Sequence, residues 1–199
     1  MKISPLSMDS LFVIEPEIFT DERGCFYEIF RLGDFNEATG QNCSFVQDNF
    51  SLSEHVNTVR GLHFQSPPRA QGKLVSCVKG RILDVTVDIR KDSKTFRRHL
   101  ATEISEENKL QLWIPPGFLH GYVTLEDNCE VIYKMTDYYA PEFDRSVLWN
   151  SPELGIDWGV DPASAKLSER DKFAPGFSDF ESPFQSGFFS SCRTANLRN

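Results

Sequence analysis

Residues Ile82 to Ile89 read ILDVTVDI, a strict alternation that suits an extended strand. Leu83, Val85, Val87 and Ile89 point one way; Asp84, Thr86 and Asp88 point the other. Runs of the same β-branched and aromatic character recur along the chain at Leu11 to Ile18 (interrupted at Pro16), Cys25 to Arg31, Ser44 to Leu52, Val59 to Phe64, Lys73 to Lys79, Arg98 to Ile104, Lys109 to Ile114, Leu119 to Leu125 and Cys129 to Thr136. Turn signals separate them: Thr20 to Gly24, Gly80-Arg81, Ser105 to Asn108 and Glu126 to Asn128. Many short strands between turns predict an all-β sandwich or barrel. One short helix is expected at Asp34 to Thr39, with Asp34 as N-cap and Gly40 just past its end. Ser151 to Ala165 reads as loop or short helix.

A chain of 199 residues suits one domain with a tail. The domain is expected over residues 1–172. Residues 173–199 read as an aromatic arm, packed or partly disordered, carrying Phe173, Phe177, Phe180, Phe184, Phe188 and Phe189. The net charge of −8 argues against nucleic acid or an anionic membrane surface as partner, but leaves room for a small anion in a locally basic pocket. The five cysteines form no CxxC pair, and Cys77 and Cys129 lie in apolar runs, as small hydrophobes do. With no apolar leader and no stretch of membrane-spanning length, a reduced cytoplasm is the expected location.

The chemistry concentrates in Arg60 to Lys73, RGLHFQSPPRAQGK. His63 ends one strand and Lys73 opens the next, so a base and a cation face each other across a turn. Such a pair suits proton abstraction beside a carbonyl, with the cation stabilising the enolate oxygen. A surface histidine and a solvated lysine are the plain alternative. His55 and His99 read as surface residues. His120 lies in WIPPGFLHGYV, which has the PxGxxH form of the second motif of cupin barrels. A metal-binding cupin adds an HxH pair and a glutamate on the earlier hairpin. Here that hairpin offers only His63, so no metal is expected, since a stable site usually takes three protein ligands.

The runs FTDERGCFYE, FVQDNFS, RGLHFQ, GKLV, GRILDVTVDIRKDS, LWIPPGFLHGY, YKMTDYY and LSERD, in order from Phe19 to Asp171, resemble the dTDP-4-dehydrorhamnose 3,5-epimerase family of metal-free cupins. The resemblance implies a cupin jelly-roll sandwich with a few short helices, mainly C-terminal. It implies a cofactor-free enzyme that inverts C3 and C5 of a dTDP-linked 4-keto-6-deoxy sugar. His63 would be the base and Asp171 its orienting partner. Lys73 would stabilise the enolate, and Tyr133 would return a proton from the opposite face. Read without the resemblance, Asp171 is a polar residue near a helix start capped by Ser168, and Tyr133 an ordinary strand aromatic. His120 would support the site, hydrogen-bonded to Asp84. Arg60 and Arg23 would meet the diphosphate, Arg170 beside Asp171 and His120 would bind substrate, and Phe19, Glu28, Gln47, Asn49 and Tyr139 would line the nucleotide pocket. The family pairs its early strands across a homodimer, which would bring Phe19, Arg23 and Glu28 to the partner's site. On a regular strand Arg60 and His63 would face opposite ways, so a bulge at Gly61 is expected.

Several positions depart from the family's pattern: Arg170 for a usual lysine, Ser76-Cys77 for a bulkier pair, Lys94 for proline and Phe50 for a frequent histidine. No proposed catalytic residue is lost. Alternatives within reach are a mono-epimerase acting at C3 or C5, a cupin ketoisomerase, a metal dioxygenase and a non-catalytic sugar-nucleotide binder.

Overall fold

The computed structural model describes residues 1–185. Its strands are β1 (Lys2–Pro5), β2 (Phe12–Glu15), β3 (Ile18–Asp21), β4 (Gly24–Tyr27), β5 (Gln47–Ser53), β6 (Val59–Gln65), β7 (Lys73–Lys79), β8 (Arg81–Asp88), β9 (His99–Ser105), β10 (Gln111–Ile114), β11 (Phe118–Thr124), β12 (Cys129–Met135) and β13 (Asp144–Ser146). Two antiparallel sheets face each other. One has six strands in the order β1-β2-β10-β7-β12-β5, the other five in the order β13-β6-β11-β8-β9. The hairpin β3–β4 forms a separate two-stranded sheet. This is the expected all-β sandwich.

The boundaries shift where side chains find other employment. The run after β4 leaves the ladder at Tyr27, because Glu28 turns to pair with Arg31 at 2.8 Å. The strand expected from Ser44 begins at Gln47, as Phe45 packs edge-on to Trp113 and Phe30. Helix α1 (Leu32–Thr39) starts two residues before Asp34, so Asp34 lies in its first turn rather than at its cap. Arg31 holds the cap position with extended backbone and no side-chain cap bond. Gly40 does close the helix, at φ 65°, a left-handed conformation that glycine adopts without penalty. The longest helix thus lies early, and the other helical turns, α2 (Glu169–Lys172) among them, follow Ala140.

The alternation in β8 sorts the molecule into layers. Val85, Val87 and Ile89 join Val59, Leu62, Phe64, Leu119 and Val123 on the outer face of the five-stranded sheet. Trp149, Trp158, Phe177 and Phe184 cover that face with Phe180 packed against them, so part of the C-terminal segment joins the core, while Phe173 is 73% exposed. Phe188 and Phe189 lie outside the described residues. The polar face of β8 is also buried: Asp84, Thr86 and Asp88 have no exposure. They look into the space between the sheets, where burial is tolerable only with partners. Asp88 takes Arg90, Ser93 and Thr95. Asp84 takes His120.

Strand β5 divides in the same way. Gln47, Asn49, Ser51 and Ser53 are part-buried or buried, while Asp48, Phe50 and Leu52 are exposed. No helix among the described residues is long and apolar enough to cross a membrane.

Candidate active site

His63 and Arg60 share the inner face of β6, as a bulge requires. The ladder pairs Tyr122 with Arg60 and His120 with His63, so β6 advances three residues where β11 advances two. The extra residue falls at Gly61-Leu62, and Gly61 has φ 134°. Glycine is required there for a second reason. A Cβ on Gly61 would lie 2.5 Å from the Gly121 Cα, so the two backbones touch where the strands cross.

With the bulge in place, a cavity of about 420 Å3 opens between the sheets. Its walls come from different strands. Arg60, His63, His120 and Tyr122 stand on the five-stranded sheet, and Lys73 and Tyr133 on the six-stranded one. Arg170 and Asp171 of α2 close one side.

The His63 Nε2 lies 2.5 Å from the Asp171 Oδ1, and the Asp171 side chain is nearly inaccessible to water. Burial alone would raise the Asp171 carboxyl. Hydrogen bonds from His63, from Ser168 and from the Gly61 backbone, together with attraction to the His63 ring when it is protonated, hold it below its ordinary value instead. It is therefore an anion, able to fix the imidazole's orientation and to balance a proton once His63 takes one. Ser168 caps α2 by accepting from the Asp171 backbone N–H, so Asp171 is both a capped helix residue and the histidine's partner.

His120 pairs with Asp84 at 2.8 Å, as expected, and its burial makes the ring harder to protonate. Burial also pushes the Lys73 ammonium down to about 8, against the pull of Asp144 and Asp84. Tyr133 is held protonated because burial raises its phenol, with the Arg60 charge opposing. A neutral phenol is a proton donor at neutral pH.

Around this centre the remaining residues sort by distance. Arg60 is braced by the Ser53 hydroxyl at 3.1 Å and the Leu52 carbonyl at 2.9 Å. Gln47 donates to Asn49 at 2.8 Å and accepts from the Tyr139 backbone N–H at 2.9 Å. Tyr139, more than half exposed, stands at the rim with its hydroxyl on Asp144. Arg170 reaches the same carboxylate at 2.5 Å. Phe19, Arg23 and Glu28 are not gathered by this chain's own cavity: Phe19 and Arg23 lie on or in the β3–β4 hairpin, where Arg23 pairs with Asp21, and Glu28 pairs with Arg31. His55 is exposed, but His99 is half-buried and its ring meets the Leu154 carbonyl, so it is not a plain surface residue. No group of three or more His, Cys, Asp or Glu that could hold a metal comes together among the described residues.

Sequence reading passed over Ser51, Ser53, Tyr122 and Asp144. The first two are signalled by the alternation in QDNFSLS, which puts them on the face of Gln47 and Asn49. Tyr122 follows His120 by two residues and shares its face; its hydroxyl lies 2.6 Å from Ser51. Asp144 sits in a three-residue strand too short to register as a pattern.

The family model described as dTDP-4-dehydrorhamnose 3,5-epimerase matches residues 5–179. The chain belongs to this family. The dTDP-4-dehydrorhamnose 3,5-epimerase of Salmonella typhimurium is 46% identical over 175 residues, which is 88% of this chain and 94% of that protein. Among solved structures, the dTDP-6-deoxy-D-glucose-3,5-epimerase of Legionella pneumophila, in complex with dTDP-4-keto-L-rhamnose, superposes with a TM-score of 0.86 at 43% identity, covering 90% of this chain and 94% of that one. A 3'-monoepimerase from Streptomyces bikiniensis, in complex with dTDP-quinovose, superposes with a TM-score of 0.82 at 34% identity, covering 87% of each chain. Like its relatives in the dTDP-4-dehydrorhamnose 3,5-epimerase family, the chain is an isomerase with a cupin-like β sandwich.

Proposed function

We propose that this epimerase inverts C3 and C5 of dTDP-4-dehydro-6-deoxy-D-glucose, giving dTDP-4-dehydro-L-rhamnose. The observation that carries the reading is the placement of the His63–Asp171 pair and Tyr133 on opposite walls of one cavity. A C–H beside the C4 ketone is acidic because its conjugate base is an enolate. His63 removes that proton, and Asp171 stabilises the imidazolium. Lys73 donates to the enolate oxygen. Tyr133 then delivers a proton from the other side of the ring. Inversion needs a group on each face, since one base working alone returns the proton to the face it left.

The charged and aromatic rim suits the rest of the substrate. Arg60 and Arg170 meet diphosphate oxygens, for which the guanidinium fork is well shaped. Tyr139 stacks on the pyrimidine beside Gln47 and Asn49. His120, fixed by Asp84, lends its hydrogen bonds to the sugar. Phe19, Arg23 and Glu28 complete the site of a partner subunit in a homodimer. The separate β3–β4 hairpin, with Phe26 72% exposed, supports that assignment. No cofactor is needed for the proton transfers. Every one of these residues lies within 1–172, and the segment that follows packs onto the same core through Phe177 and Phe184.

The test is NMR of dTDP-4-keto-6-deoxyglucose incubated with the protein in D2O. Deuterium at both C3 and C5, with both centres inverted, is the expected outcome. Deuterium at a single carbon would establish the second reading, a mono-epimerase, which the similarity to the Streptomyces bikiniensis 3'-monoepimerase favours. Carbonyl migration without inversion would mark a ketoisomerase instead.

A further inference from the structure

Tyr122 lines the cavity and has no part in the proposed proton transfers. It is the ladder partner of Arg60, on β11 beside β6. Both residues belong to the five-stranded sheet, and both side chains cross to β5, the edge strand of the six-stranded one. The Tyr122 hydroxyl lies 2.6 Å from the Ser51 Oγ. Arg60 donates from Nε to the Ser53 Oγ at 3.1 Å and from Nη2 to the Leu52 carbonyl at 2.9 Å. The two arms of one ladder pair thus grip three successive residues of the facing strand.

Strand β5 is bonded along one side only, to β12. An edge strand has half the ladder bonds of an interior one, so side-chain bonds from the opposite sheet weigh more in fixing where it lies. Where β5 lies in turn decides where Arg60 points. Both of the arginine's acceptors are uncharged oxygens, so its direction follows the positions of Ser53 and Leu52, and its charge is left for a ligand. Tyr122 is 3% exposed, and burial holds its phenol protonated against the pull of Ser51 and the Arg60 charge. The hydroxyl pair therefore always has a hydrogen with which to make its bond.

We propose that Tyr122 is a positioning residue for Arg60: by its bond to Ser51 it holds β5 against the opposite sheet at the point where Ser53 and Leu52 orient the guanidinium. The consequence for binding rests on the reading of Arg60 as a diphosphate contact. On that reading Tyr122 serves the tight capture of the nucleoside diphosphate and leaves the reacting carbons alone.

Tyr122→Phe removes the hydroxyl and keeps the ring, which packs with Cys129 and Val131 in the core. Two measurements read the result. The first is the Arg60 Nε–H signal in NMR, assigned with Arg60→Met, which should move or broaden in Tyr122→Phe. The second is calorimetry with dTDP. Tyr122→Phe should bind it about 3–10-fold more weakly, and Arg60→Met about 10–100-fold more weakly. Ser51→Ala, which breaks the same bond from the other end, should match Tyr122→Phe, and the two together should lose no more than either alone. In the Arg60→Met background Tyr122→Phe should cost nothing further. With the sugar nucleotide, KM should rise in step with the weaker binding while kcat holds, as for a contact equally strong in ground and transition states.

An Arg60 signal unchanged in Tyr122→Phe overturns the proposal. So does an undiminished loss in the Arg60→Met background, or an affinity that falls in Arg60→Met but not in Tyr122→Phe. If the Arg60 signal moves while neither variant loses affinity for dTDP, Tyr122 positions Arg60 as proposed and it is the diphosphate role of Arg60 that fails.

Discussion

At the scale of single residues, the site divides labour between groups whose environments push them apart. Asp171 is held as an anion beside His63, and Tyr133 as a neutral phenol across the cavity. This predicts different consequences for the two ends of the proposed proton path. His63→Ala should lower both deuterium uptake and epimerisation by about 10²–10⁴-fold, the usual worth of a positioned base, with the fold intact by circular dichroism. Tyr133→Phe should reduce inversion much more than uptake, because the base that draws the proton is still present. Equal losses in the two rates would mean that Tyr133 is not the opposing donor.

At the scale of elements, the β6–β11 crossing is the feature on which the site depends. Gly61→Ala would place a methyl group against the Gly121 backbone, in a conformation that L side chains rarely adopt. The expected cost is about 2–4 kcal/mol of stability, measured by denaturant unfolding, together with loss of activity. A variant as stable as the wild type would show that the strands can part without harm. How much of this was readable beforehand follows from what kind of signal each element leaves. Strand β8 was legible from its period-two alternation, and β6, β7 and β11 from β-branched and aromatic runs between turn signals. The bulge was legible as well, from the conflict between the facings of Arg60 and His63. The start of α1 was not, because the cap position is held by Arg31 with no side-chain bond, contrary to the preference that pointed to Asp34. Nor was β13, whose three residues carry no period. His63 could be picked out from its strand, and His120 from its motif. The part played by Asp144 could not, because it depends on Tyr139 and Arg170 arriving at one oxygen from segments 5 and 26 residues away.

At the scale of the whole molecule, the outward face of β5 and β12 carries Phe50, Leu52 and Ile132, with Phe50 61% exposed. Such exposed apolar area on one side of a sheet marks an interaction surface. The proposed homodimer predicts complementation. Arg23→Ala and His63→Ala are each expected to be inactive alone. Mixed under conditions that allow subunit exchange, they should regain activity, because one site of the mixed dimer then has His63 from one chain and Arg23 from the other. Mixtures that exchange subunits, as shown by light scattering and mass spectrometry, yet stay inactive would place Arg23 outside the partner's site.

The two walls of the cavity belong to two different sheets, and this gives the fold a stereochemical meaning. Packed sheets stand about 10 Å apart, close to the thickness of a pyranose ring with a side chain reaching it from each side. On the proposed function, the sandwich acts as a calliper: the ring enters edge-on, with one sheet at its upper face and the other at its lower. On the proposed roles, handedness is reversed by the separation between two sheets, so a change that closed or widened that gap would alter the stereochemical outcome without touching a reacting group.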